Sequence, residues 1–147
     1  MKARQIAFIA LTAAVYSASA AAEPLEQSCR ILDVVGNNRA GMVNELVEEI
    51  STRWPQSNRD GAQQNFAKLL EEQVFSGGTV YQIAKLGDDV EEHLILLRLK
   101  LGEIAGIRLL YEWSPDGMAV TNLEFKRKFV EYAERPFLQE PVALDCP

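Results

Sequence analysis

From Val90 to Phe129 side chains sort by odd and even position into two faces, one of them apolar, the period of a strand. Ser114-Pro115-Asp116-Gly117 interrupts the alternation. Proline has its φ already set for the second turn position, and glycine at the fourth can take the left-handed conformation of a G1 bulge. The expected hairpin therefore sets Ser114 opposite Met118. In that register Trp113 faces Ala119, Tyr111 faces Thr121, Leu109 faces Leu123 and Ile107 faces Phe125. On the other face Glu112 meets Val120, Leu110 meets Asn122 and Arg108 meets Glu124. One side is apolar and the other carries an ion pair, so turn chemistry and side-chain pattern agree.

The preceding strand follows the same parity. His93, Ile95, Leu97, Leu99 and Leu101 point one way, and Leu94, Leu96, Arg98 and Lys100 the other. A two-residue turn at Gly102-Glu103 would set Leu97 opposite Arg108 and mix the faces. An extra residue near Ala105-Gly106 restores the parity, which predicts a bulge there. A further strand, Thr79 to Leu86, turns through Gly87-Asp88-Asp89 into the strand from Val90.

Upstream the period changes to that of helices. Leu25, Cys29 (or Ser28), Leu32 and Val35 form one stripe, stopped at Gly36-Asn37-Asn38. Val43, Leu46, Val47, Ile50 and Trp54 form a second, ended by Pro55. After a loop at Gln56-Ser57-Asn58-Arg59, Asp60 is placed to cap a third helix. Its stripe is Ala62, Phe66, Leu69, Leu70 and Val74, with Gly77-Gly78 as terminator. Helices followed by strands predict an α+β fold: two or three N-terminal helices packed on one face of a curved four-stranded antiparallel meander. The 147 residues suit one domain, expected over 23–147.

Residues 1–22 stand apart. Lys2 and Arg4 precede an apolar run from Ile6 to Tyr16, and Ala20-Ala21-Ala22 offers a small-residue cleavage site, with Ala18-Ser19-Ala20 as the competitor. The run is too short to span a bilayer, so a signal peptide and export, to the periplasm or outside the cell, are expected. No membrane attachment is expected after cleavage. Removing Lys2 and Arg4 takes the net charge from −6 to −8, which argues against a nucleic-acid partner. In an oxidising compartment the two cysteines, Cys29 and Cys146, are expected to be bonded to each other.

Candidate chemistry is sparse. His93 is the only histidine, and nothing beside it in sequence supplies a nucleophile and an orienting acid, so a structural role is expected. One histidine and a bonded cysteine pair leave too few ligands for zinc, and no metal or cofactor is expected. Asp88, Asp89, Glu91 and Glu92 lack the spacing of a calcium loop and read as a charged turn. Two surfaces remain. Tyr81, His93, Tyr111 and Trp113 share the core parity and could line a small pocket at the open end of the sheet. Leu94, Leu96, Leu110 and Val120 share the opposite parity and would form an exposed apolar patch, unless the tail from Phe137 to Leu144 covers them.

Helices followed by a meander, with Trp113-Ser-Pro-Asp-Gly117 on its last hairpin, resemble cystatin-like α+β domains. The nearest similarity is to the nuclear-transport-factor-2-like superfamily, over Met42 to Phe129. That superfamily holds enzymes with a cone-shaped pocket and many non-catalytic binding or dimerisation modules. The chain lacks the extra strand and helix that such domains place before their long strands, and no catalytic motif matches residue by residue. The layout is also similar in topology to the helix-helix-sheet domain of β-lactamase inhibitor proteins, secreted protein-binding modules. The reading is an exported binding protein without enzymatic activity that engages a protein partner, or weakly itself, through the sheet. The alternative is a small-ligand carrier or enzyme using the His93 pocket.

Overall fold

A computed structural model describes residues 23–133 and 137–147; the predicted leader lies outside them. Helix α1 (Pro24–Gly36), a 3-10 turn (Ala40–Met42), α2 (Val43–Ile50) and α3 (Gln56–Glu72) come first. Strands β1 (Phe75–Leu86), β2 (Val90–Leu99), β3 (Ile104–Ser114) and β4 (Gly117–Lys126) follow, then a short α4 (Val130–Ala133) and β5 (Val142–Leu144). The sheet is antiparallel, in the order β4-β3-β2-β1-β5. The fold is α+β, with three N-terminal helices on one face of a meander that gains a fifth strand from the tail.

Helix α1 begins at Pro24, whose fixed φ suits a first turn. Its buried stripe is Gln27, Ser28, Ile31, Val34 and Val35, which keeps Val35 and the alternative Ser28 of the expected stripe. Leu25, Cys29 and Leu32 are only half-buried on its flank. The predicted stripe followed apolarity, whereas Ser28 is driven inward by hydrogen bonds made far along the chain. Helix α3 starts directly after Pro55, whose carbonyl accepts from the N–H groups of Asn58 and Arg59 at 3.0 and 3.2 Å. The expected loop at Gln56–Arg59 is thus the first turn, and Asp60 lies inside the helix as a partner of Gln56 at 2.7 Å. The helix stops at Gln73, which is already extended, so Val74 leaves the predicted stripe.

Gly77-Gly78 therefore does not terminate a helix; it belongs to β1. Gly77 has φ 107°, at an irregularity between Phe75 and Gly78. A side chain at Gly78 would collide with the Leu96 carbonyl of β2. A second irregularity, between Gln82 and Ala84, shifts the parity of β1 again.

The long strands keep the predicted odd-to-odd pairing of β2 with β3, from Val90 opposite Glu112 to Arg98 opposite Ile104. They do so without the bulge expected near Ala105-Gly106. A longer loop through Lys100, Leu101 and Gly102 takes up the extra residues instead, closed by Leu99 N–H to Glu103 O at 2.9 Å. Gly106 has another purpose: a Cβ there would lie 2.6 Å from the Tyr132 ring.

The β3–β4 hairpin is also one residue tighter at its turn than expected. Ser114 pairs with Gly117, Trp113 with Met118 and Tyr111 with Val120; the predicted register holds only from Leu110–Asn122 downward. The extra residue sits beside Val120 rather than at the turn. Met118 and Val120 thereby join the helix-covered face, and Thr121 turns to solvent. Helices and that face bury one core, including Ile31, Leu46, Phe66, Val80, Ile95 and Ile107. Cys29 and Cys146 are bonded, with Cα atoms 5.5 Å apart, and this anchors β5 beside the edge of β1.

Candidate functional site

The core encloses a chain of polar side chains from three elements. Glu91 and His93 project from one face of β2, two residues apart, and Tyr111 projects from β3. Ser28 reaches down from the middle of α1. Its Oγ lies 2.7 Å from His93 Nδ1 and 2.7 Å from the Tyr111 hydroxyl. His93 Nε2 lies 2.6 Å from Glu91 Oε1, which also accepts from Gln82 Nε2 at 2.8 Å. Lys85 Nζ stands 3.4 Å from the other carboxylate oxygen.

Chemistry fixes the direction of every proton in this chain. Burial pulls the His93 imidazole below its ordinary value, more strongly than the Glu91 carboxylate raises it, so the ring is neutral at neutral pH. Burial by itself would raise the Glu91 carboxyl; hydrogen bonds from His93 and Gln82, with the charge of Lys85, outweigh it and hold the group ionised. A carboxylate only accepts, so His93 Nε2 carries the ring proton and Nδ1 accepts from Ser28. Ser28 must then accept from Tyr111, whose ionisation burial pushes well above the ordinary range.

Serine, histidine and acid in hydrogen-bonded order have the outline of a nucleophilic triad. The surroundings deny it a substrate. Ser28, His93 and Tyr111 are each 0% exposed, and Ser28 lies within an unbroken helix. No oxyanion could be admitted beside Ser28 without removing α1. Sequence reasoning missed Ser28 as a partner of His93 and Gln82 as a partner of Glu91, because they meet only after folding; Glu91, two residues from His93 on the same parity, was passed over as an orienting acid.

The four predicted pocket residues are not brought together. His93 and Tyr111 are core groups whose rings meet edge to face at 5.3 Å. Tyr81 pairs with Leu94 and sits on the opposite face, because the irregularity between Gln82 and Ala84 reverses its expected parity. Trp113 is half-buried at the hairpin end. The four predicted interface residues are also divided. Val120 lies in the main core, and Leu94 is buried with Ile83 and Tyr132 in a second cluster on the other face. Leu96 packs against that cluster and Leu110 is half-buried. Phe129, Tyr132 and Phe137 of the tail cover this face, with the Tyr132 hydroxyl bonded to the carbonyls of Gly106 and Glu124 at 3.1 and 3.0 Å. Arg108, expected against Glu124, forks onto Glu92 at 2.5 and 2.9 Å.

Exposed apolar side chains gather elsewhere. Leu101 at the β2–β3 loop is 95% exposed, Val130 66%, Val74 51% and Ile104 40%. Two backbone hydrogen bonds hold them at one end of the sheet: Lys100 N–H to Val74 O at 3.0 Å, and Phe129 N–H to Ile104 O at 2.9 Å. Lys100, Arg98 and Lys128 are exposed around them. The signal for Leu101 was readable, but its place in the strand alternation assigned it to the core.

Among the described residues, no group of three histidine, cysteine or acidic side chains is arranged to hold a metal, and no helix is long and apolar enough to cross a membrane. No protein family, curated protein or solved structure matches the chain.

Proposed function

We propose that the chain is an exported binding protein without enzymatic activity, and that it takes a protein partner on the apolar end of the sheet around Leu101. The observation that carries this reading is the set Val74, Leu101, Ile104 and Val130, exposed together and held by the backbone. Large apolar side chains grouped on a surface mark interaction sites, whereas scattered ones do not. The rim is of mixed charge, with Lys100 and Lys128 beside Glu103 and Glu131, which suits a partner with an apolar contact ringed by polar groups of both signs. A non-catalytic role is supported by the burial of the Ser28–His93–Glu91 chain. Export is supported by the leader-like residues 1–22 and by the Cys29–Cys146 bond. The order of helices and meander is in keeping with a cystatin-like domain of the nuclear-transport-factor-2-like kind, many of which bind rather than catalyse.

The test is a photo-crosslinking residue placed at Leu101 in cells that export the protein. A discrete adduct is expected, and it disappears when Ile104→Glu and Val130→Glu are added. The same probe at Asp88, at the other end of β2, yields no such adduct. If Leu101 gives none, or gives the adducts seen from Asp88, the apolar end is not a partner surface.

A further inference from the structure

A groove of about 610 Å³ lies at the opposite end of the sheet from Leu101, between the start of α3 and the β3–β4 hairpin. We infer that this groove is a binding site for a neutral, hydroxyl-rich ligand, a short oligosaccharide. This goes beyond the protein-binding reading and uses none of its residues.

The helix wall repeats at α-helical spacing. Asn58, Gly61, Ala62 and Asn65 fall at i, i+3, i+4 and i+7, so two amides flank a strip with almost no side chain. Ala119, Thr121 and Asn122 of β4 form the facing wall, again small or amide-bearing. Trp54 and Trp113 supply the aromatic surface. Trp54 is fixed in place by its indole N–H, which donates to the Val120 carbonyl at 2.5 Å. A slot with a shallow floor, amide rims, one indole held in place and a second beside it suits a flat ring with apolar C–H faces and a polar perimeter.

Charge decides against other ligand classes. Among the described residues, the one cationic side chain lining the groove, Arg53, is committed to the hairpin turn. It donates to Ser114 Oγ at 2.8 Å and to the carbonyls of Asp116 and Gly117 at 2.7 and 3.4 Å. The Glu112 carboxylate on the same lining repels anions. A wholly apolar ligand would strip water from Asn58, Asn65 and Asn122 without replacing their hydrogen bonds. An added peptide strand would need the edge of β4, where Trp54 already occupies the Val120 carbonyl. Hydroxyl groups both donate and accept, as amide side chains do, and carry no charge.

The two groove tryptophans are the only ones in the chain, so intrinsic fluorescence reports occupancy directly. The experiment titrates the exported protein with neutral oligomers of N-acetylglucosamine, glucose and xylose, beside oligogalacturonate and short peptides. One neutral series is expected to give a saturable emission change that is unaffected by added salt. Asn65→Ala/Asn122→Ala should weaken it about tenfold or more, the loss of two hydrogen bonds, with melting temperature unchanged. Gly61→Phe fills the slot from a helical position with open space around its Cα and should abolish the response. That variant also gains helix propensity, so misfolding does not explain the loss. Silence with every neutral oligomer, a response confined to oligogalacturonate or peptides, or wild-type binding by Gly61→Phe overturns the assignment. The crosslinking test at Leu101 is independent of all of these outcomes.

Discussion

Ser28 is a fully buried polar residue of an amphipathic helix, and its hydroxyl is the hinge of the hydrogen-bonded chain through the core. Ser28→Ala leaves both His93 Nδ1 and the Tyr111 hydroxyl buried and unpaired, and should destabilise the fold by about 1–3 kcal/mol in denaturant unfolding. His93 ties this chain to pH. Its folded pKa is lowered from 6.5, so the unfolded chain takes up a proton first as pH falls. The contribution to stability is complete above that value and is lost as pH drops toward the folded pKa. Glu91, lowered from 4.5, acts in the same direction but further into acid. Comparing urea unfolding at about pH 7.5 and about pH 5.5 isolates the histidine. Wild type should lose stability between the two, and His93→Gln, though weaker throughout, should lose less. Equal losses would mean that another group titrates.

At the scale of elements, what was legible in the sequence was whatever a local period or a turn residue encodes. The buried positions of α2, the strand boundaries after Val90 and the odd-to-odd pairing of β2 with β3 are of this kind. Bulges are not. Moving one extra residue from Gly117 to the neighbourhood of Val120 took Val120 from the predicted outer patch into the core, and the irregularity between Gln82 and Ala84 moved Tyr81 the other way. One residue of slip reverses a face, so the candidate sites built on parity were the first to fall. The tail was illegible for a different reason. Strand β5 has three residues and no pattern of its own; the disulfide, closing a sequence separation of 117, holds it against β1. For a loop that long the chain-entropy model assigns about 4–5 kcal/mol. The Cys29→Ser/Cys146→Ser variant should therefore lose several kcal/mol. Its amides at Val80 to Gln82 should exchange with deuterium faster than those of the β2–β3 ladder. Unchanged protection at Val80 to Gln82 would show that β5 docks without its staple.

For the whole molecule the question is how much surface is left for association. Strand β5 pairs with one edge of the sheet. On β4, the other edge, the Trp54 indole and the Tyr132 hydroxyl occupy the carbonyls of Val120 and Glu124. Side chains placed this way blunt an edge against further strands. The tail covers most of the outer face, leaving the apolar end around Leu101 and the exposed Leu86, Leu138 and Val142 near β5; the grouped set around Leu101 is the stronger candidate for contact between copies. Four large apolar side chains, each worth about 1.5–3 kcal/mol when fully buried, stand against an association cost of about 4–15 kcal/mol. The protein by itself should accordingly sediment as a monomer up to concentrations of about 100 μM, a dissociation limit of about 5–6 kcal/mol. Leu101→Glu should leave that behaviour and the melting temperature unchanged. A wild-type dimer in that range that Leu101→Glu dissolves would make the occupant of the apolar end a second copy of this chain rather than a different protein.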